Sequence, residues 1–223
     1  MIRFAIGVII LLMVGMILGP SLVASATSLI DTTTNDGTNL YENPKYGIQL
    51  RYPQDWLYFE DANIFTRLFA VVFMSPAEAL QANGQAGEVP VGLAVLITNI
   101  REPGVSAALG SEKNVSGYNF SAADIQTVGQ SFLKSIMSLN SLQKNNNTNI
   151  QIISTNSSAV LSDDDMPAYE MVVVDPDKGT KWLYAMTLKD DWLYVLVYGG
   201  SQSRYEKLLP NAKDMISSFT IAK

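Results

Sequence analysis

AYEMVVVDPDKGTKWLYAMTLKDDWLYVLVY, residues 168 to 198, contains three alternating runs: Ala168 to Val174, Lys181 to Leu188 and Trp192 to Tyr198. Asp175-Pro-Asp-Lys-Gly-Thr180 joins the first two, and a tight Lys189-Asp190-Asp191 turn joins the last two. Period-two alternation of β-branched and aromatic residues between such turns predicts an antiparallel meander. Its first strand is apolar on both sides, with Tyr169, Met171 and Val173 on one and Val172 and Val174 on the other. A sheet with two apolar faces needs cover on both.

Two segments offer that cover. Ser121 caps a helix with Asp124 in a capping-box-like pair, and Ile125, Val128, Phe132, Leu133, Ile136 and Met137 form one apolar stripe behind it. In the tail, Ser203-x-x-Glu206 reads as a second capping box, followed by Tyr205, Leu208, Ala212, Met215, Ile216 and Phe219 at helical spacing, with Pro210 expected to kink or restart the helix. Upstream, Gly47 to Tyr52 alternates as a half-buried strand that Pro53 ends, and Trp56 to Glu60, Leu68 to Met74, Val91 to Ile100 and Ile150 to Ser154 are further strands. Ser75-Pro-Ala-Glu78 starts a short helix. The expected class is α+β, a central antiparallel β-sheet sandwiched between helices.

The chain has 223 residues, 48% of them hydrophobic, which suits one domain with a real core. Its formal charge of -6 disfavours nucleic acid as a partner. With no cysteine and no histidine, disulfides, thiolate nucleophiles, Cys/His zinc sites and imidazole-based triads are excluded. Residues 1–26 have the parts of an export signal: Arg3, an apolar run from Phe4 to Leu18, and Ala24-Ser25-Ala26. Residues 4–26 are also long enough to remain as a membrane anchor. Either way the rest is expected outside the cytoplasm, secreted or membrane-anchored, with a polar linker over 27–40 and one domain over 41–223. Sequons at Asn114, Asn119, Asn146 and Asn156 make the chain a candidate glycoprotein.

Tyr41, Asn43, Tyr46-Gly47-Ile48, Leu50, Tyr52-Pro53 and Trp56, together with the closing Met215-Ile216-Ser217-Ser218-Phe219, resemble the PsbP-like family over about Tyr41 to Lys223. The resemblance implies an α/β/α fold and a non-catalytic accessory or binding role at a membrane complex, with a protein of that complex as partner. Metal binding in the family uses histidine, and docking of the photosystem subunit uses a basic N-terminal segment. This chain has no histidine and no Lys or Arg between Thr27 and Leu40, so neither property carries over.

Candidate sites are few. Tyr169, Trp182, Tyr184, Trp192, Tyr194 and Tyr198 share alternating positions on the meander and are the candidate lining of a groove for an apolar or sugar-like ligand, although aromatic pairs also stabilise a sheet from within. Asp163-Asp164-Asp165 lacks the spacing of a calcium loop, and Asp175, Asp177 and Gly179 fit a hairpin turn better than a cation site. No metal site, cofactor or catalytic residue is assigned. Glu60, Asp61, Glu170 and Asp191 are the carboxylates for the rival reading, a carboxylate-based hydrolase. A purely structural cell-envelope protein is the other rival.

Overall fold

The computed structural model describes residues 32–33, 37–63, 68–82, 89–101, 120–131, 150–161 and 166–221. The expected export segment, Asn114, Asn119, Asn146 and Asp163 to Asp165 lie outside the described residues. The strands are β1 (Thr32–Thr33), β2 (Thr38–Asn43), β3 (Ile48–Pro53), β4 (Leu57–Asn63), β5 (Leu68–Met74), β6 (Gly92–Asn99), β7 (Gln151–Leu161), β8 (Met166–Asp175), β9 (Thr180–Lys189), β10 (Trp192–Ser201) and β11 (Thr220–Ile221). The helices are α1 (Pro76–Ala82), α2 (described over 122–131) and α3 (Gln202–Ser218).

The meander forms as its alternation predicts, with β8 antiparallel to β9 and β9 to β10. It continues into a seven-stranded antiparallel sheet in the order β4-β5-β6-β10-β9-β8-β7. Lys178 N donates to Asp175 Oδ1 at 3.2 Å and Gly179 takes a φ of 60°, so Asp175 to Gly179 is the hairpin turn.

The class is α+β, but the expected helical sandwich is overstated. One face of the large sheet is covered by a second, four-stranded antiparallel sheet, β1-β2-β3-β11, together with α3. The Tyr41 to Tyr52 strands do not lengthen the main sheet. They pair with each other and with β11, whose Ile221 lies opposite Ile48. Their inward residues Tyr41, Ile48, Leu50 and Tyr52 then meet Phe73, Leu93, Leu196 and Tyr198 across the core. The other face is covered by α2 through Ile125 and Val128, which join Tyr169, Met171, Met186 and Val195.

Ser121 caps α2 as expected: its N–H donates to Asp124 Oδ2 at 3.0 Å, and the Asp124 N–H donates to Ser121 Oγ at 3.3 Å. The tail helix differs. It begins at Gln202, Ser201 holds the N-cap position without a side-chain bond, and the Ser203-x-x-Glu206 box is not made. Its members are engaged elsewhere, Ser203 Oγ with Ser201 Oγ at 2.9 Å and Glu206 with Lys181 Nζ at 2.6 Å. Helix α3 runs through Pro210 as one element. That proline is exposed, so water can satisfy the carbonyl it frees. Phe219 leaves the helix with φ -68° and ψ 124°, leading into β11. β7 extends seven residues beyond the Ile150 to Ser154 run read from the sequence. Its Ser/Thr/Asn content and exposure carry no apolar alternation.

Candidate functional site

The six meander aromatics do not line one groove. Tyr169 lies opposite Met186, while Trp182 and Tyr184 lie opposite Val173 and Met171, so these three share the face under α2. Trp192, Tyr194 and Tyr198 lie opposite Lys189, Thr187 and Leu183 and share the other face, under the small sheet and α3. The cause is one residue. A three-residue turn at Lys189-Asp190-Asp191 would pair Leu188 with Trp192 and place all of the β9 and β10 aromatics together. The structure pairs Lys189 with Trp192 over a two-residue turn, with Asp190 at a φ of 52°, and that shift inverts which side chains share a face.

Each set is held by its surroundings. Tyr198 donates to the Tyr205 carbonyl at 2.5 Å, and Tyr194 to the Tyr46 carbonyl at 3.3 Å. Burial, reinforced by Asp190, pushes the Tyr194 phenol up to about 12. Trp192 meets the Tyr46 ring edge-on at 5.7 Å, and Trp182 Nε1 donates to Thr180 Oγ1 at 3.2 Å. Burial alone raises the Tyr184 phenol well above its ordinary value. Only Trp182 and Trp192 keep appreciable exposure.

Two polar clusters absent from the sequence reading are more distinctive. The first ties α1 to α3. Glu78 Oε2 accepts from the Val91 N–H at 2.9 Å and from Arg204 Nη1 at 2.8 Å. Arg204 also reaches Gln81 Oε1 and, at 3.3 Å, the Val89 carbonyl. The Glu78 and Arg204 side chains are only 6% and 20% exposed, so this ion pair is well shielded from water. Ser75-Pro-Ala-Glu78 does start a helix, and Ser75 Oγ accepts from the Glu78 N–H at 3.4 Å. The acid, however, turns away to the distant arginine. No local pattern announces a partner 126 positions away.

The second cluster joins the two sheets. Tyr41 on β2 donates to Glu60 Oε1 on β4 at 2.5 Å, and Asn43 Nδ2 donates to the Tyr41 oxygen at 3.3 Å. The Tyr41 ring meets Tyr58 at 5.2 Å and Phe73 at 5.4 Å, both edge-on. Burial, and then the bond to Glu60, raise the Tyr41 phenol far above its ordinary value.

The carboxylates of the hydrolase reading are dispersed. Glu60 and Glu170 stand on β4 and β8 with four strands between them, about 24 Å at the usual strand spacing. A general acid–base pair needs to be far closer. Asp191 Oδ2 accepts from Arg101 Nη2 at 2.7 Å at the β9–β10 turn. Nothing is described for the Asp61 side chain. Among the described residues no three acidic side chains gather as a cation site. Asn156 is the one sequon within the described residues, exposed on β7 with its Oδ1 accepting from the Ser158 N–H at 3.0 Å.

A seven-stranded antiparallel sheet with a small sheet and a C-terminal helix on one face and a helix on the other defines an α+β domain whose aromatic and ionic side chains hold its layers together. The chain belongs to the PsbP family, which it matches over residues 36–221. Among solved structures it is similar to the solution structure of cyanobacterial PsbP (CyanoP) from Synechocystis sp. PCC 6803. Identity is 18% and the TM-score 0.53, over 87% of this chain and 98% of that one. That likeness is one of fold. A crystal structure from Bacteroides thetaiotaomicron VPI-5482 also matches, with 12% identity and a TM-score of 0.35 over 82% of this chain and 48% of that one. No curated protein matches. Membership of the PsbP family supports a non-catalytic accessory protein in general terms.

Proposed function

We propose that the chain is an exported accessory protein that acts at the outer face of a membrane, binding a protein of a membrane complex and carrying out no chemistry itself. The observation that carries this reading is the family match across residues 36–221. The placement of the polar groups supports it. Glu78 and Arg204 tie helices together, Tyr41 and Glu60 tie sheets together, and Glu60 and Glu170 stand too far apart to act as a pair. Residues 1–26, with a basic start, an apolar run and a small-residue end, favour export or anchoring. Among the described residues no helix is long and apolar enough to cross a membrane.

Affinity capture of the tagged full chain from native membranes in mild detergent tests the reading. A stoichiometric membrane-complex protein should be retained through salt washes, and repeated capture of none sinks it. Mass spectrometry of the mature N-terminus then separates a secreted form beginning at Thr27 from an anchored form that keeps Met1.

A further inference from the structure

β7 is an edge strand of eleven residues that pairs, among the described strands, only with β8. Its sequence, Gln151-Ile-Ile-Ser-Thr-Asn-Ser-Ser-Ala-Val-Leu161, contains no charge and no proline. Edge strands are usually guarded by charge, proline, a bulge or a covering element, because their outward N–H and C=O groups offer a template to another strand. Among the described residues, β7 has of these only its two register shifts against β8. Residues 151–158 are all exposed, and Ile153 and Val160 are 59% and 56% exposed. The opposite edge differs, since β4 carries Glu60 and Asp61 side by side.

The order of residue types along β7 is nearly symmetric about Asn156. A second copy paired antiparallel on that centre sets Asn156 against Asn156, Thr155 against Ser157, Ser154 against Ser158, Ile153 against Ala159 and Ile152 against Val160. Hydroxyls meet hydroxyls, and apolar side chains meet apolar ones. Ile152 and Val160 lie opposite Val173 and Pro167 of β8, on the α2 side of the sheet, so their contact across the two-fold axis joins two apolar patches on one face. An isologous interface requires this kind of self-complementarity. Neutrality points the same way: in a chain of net charge -6, β7 is a stretch along which two copies approach without facing like charges.

We propose that β7 is a self-association edge, through which two copies of this chain pair about Asn156 and join their seven-stranded sheets into one. Register shifts against β8 after Ile152 and after Asn156 bend the strand, and the pairing has to follow that bend, which keeps the dimer weak and reversible. The acidic β4 edge stops the growth of the sheet beyond two copies.

The absence of cysteine makes the test direct. The full chain, made in a host without N-glycosylation and held in mild detergent, carries single cysteines under a mild oxidant. Asn156→Cys should form a disulfide-linked dimer. Ile152→Cys mixed with Val160→Cys should cross-link better than either alone, and Leu57→Cys on β4 should stay monomeric. Adding Ser154→Lys and Ser158→Lys to Asn156→Cys should lower the dimer yield about tenfold, since like charges then face each other. Equal cross-linking of Asn156→Cys and Leu57→Cys overturns the proposal. So does indifference to the two lysines, or a glycan found on Asn156 in the native source.

Discussion

On one face of the large sheet, Phe73 is fully buried among Tyr41, Tyr52 and Tyr58, rings that arrive from the small sheet and from β4. On the other face, Tyr169 lies under Gly129 of α2 so closely that a Cβ at position 129 would overlap its ring. Among the described residues, the first face is thus closed by segments from both ends of the chain, the second by α2. Aromatic interlocking with polar bonds makes the first cover hard to open, whereas the described part of the second holds by apolar packing of Ile125 and Val128 and the close approach of Gly129 to Tyr169.

The largest predicted effect is on the first face. Phe73→Ala removes a ring with three aromatic neighbours and should cost about 4 kcal/mol, read as a drop in the urea midpoint at constant slope. A loss comparable to that of an exposed substitution would mean that the small sheet does not cover this face. Arg204→Ala leaves the Glu78 carboxylate shielded without its cation and should cost about 3 kcal/mol. Pairing it with Glu78→Gln in a double-mutant cycle should recover part of that loss, and strictly additive losses would break the ion-pair account.

The second face is probed by Gly129→Ala, where the added methyl must push α2 away from the Tyr169 ring. Overpacking of this kind should cost about 2 kcal/mol even though alanine favours helix. If the variant were instead more stable, α2 would not press on the sheet, and the difference between the two covers would disappear. Amide exchange in α2 should also rise in this variant while exchange in α3 stays unchanged.

How much of this architecture shows in the sequence depends on the distance over which each feature is decided. The meander is legible because Tyr169, Met171 and Val173 alternate with Glu170, Val172 and Val174 and because Asp-Pro and Asp-Asp mark the turns. The capping of α2 is legible because Ser121 and Asp124 are three residues apart. The Gly47 to Tyr52 strand reads correctly as half-buried, whereas β2 (Thr38–Asn43) falls partly in the expected linker and does not read as a strand. Alternation does not say which sheet a strand joins, and only pairing with β2 and β11 settles that. The aromatic groove fails on the length of one turn, and the Glu78–Arg204 tie has no local signature. β7 was legible only at its start, since an exposed strand of Ser, Thr and Asn resembles a loop until its neighbour is known.

The smallest predicted effect concerns Glu170, a half-buried carboxylate on the first face of β8, opposite Asn156 of β7 and Ala185 of β9 and near Lys213 and Tyr205 of α3. Burial raises its pKa above the ordinary glutamate value, and the positive charge of Lys213 offsets part of that rise. A carboxyl group raised by folding holds its proton more tightly in the native state. Its favourable contribution is therefore full below the ordinary glutamate range and is lost as pH rises through the raised native value. Glu170→Gln, which cannot ionise, should be more stable than the parent near neutral pH, with the gap closing as pH falls toward the acid range. Lys213→Met should steepen the parent's dependence on pH, and because Lys213 is exposed, added salt should weaken that effect first. Urea midpoints for the three proteins across that pH range decide the matter. A Glu170→Gln gap that stays constant with pH would show that the carboxylate is fully solvated and that α3 does not cover β8 at this point.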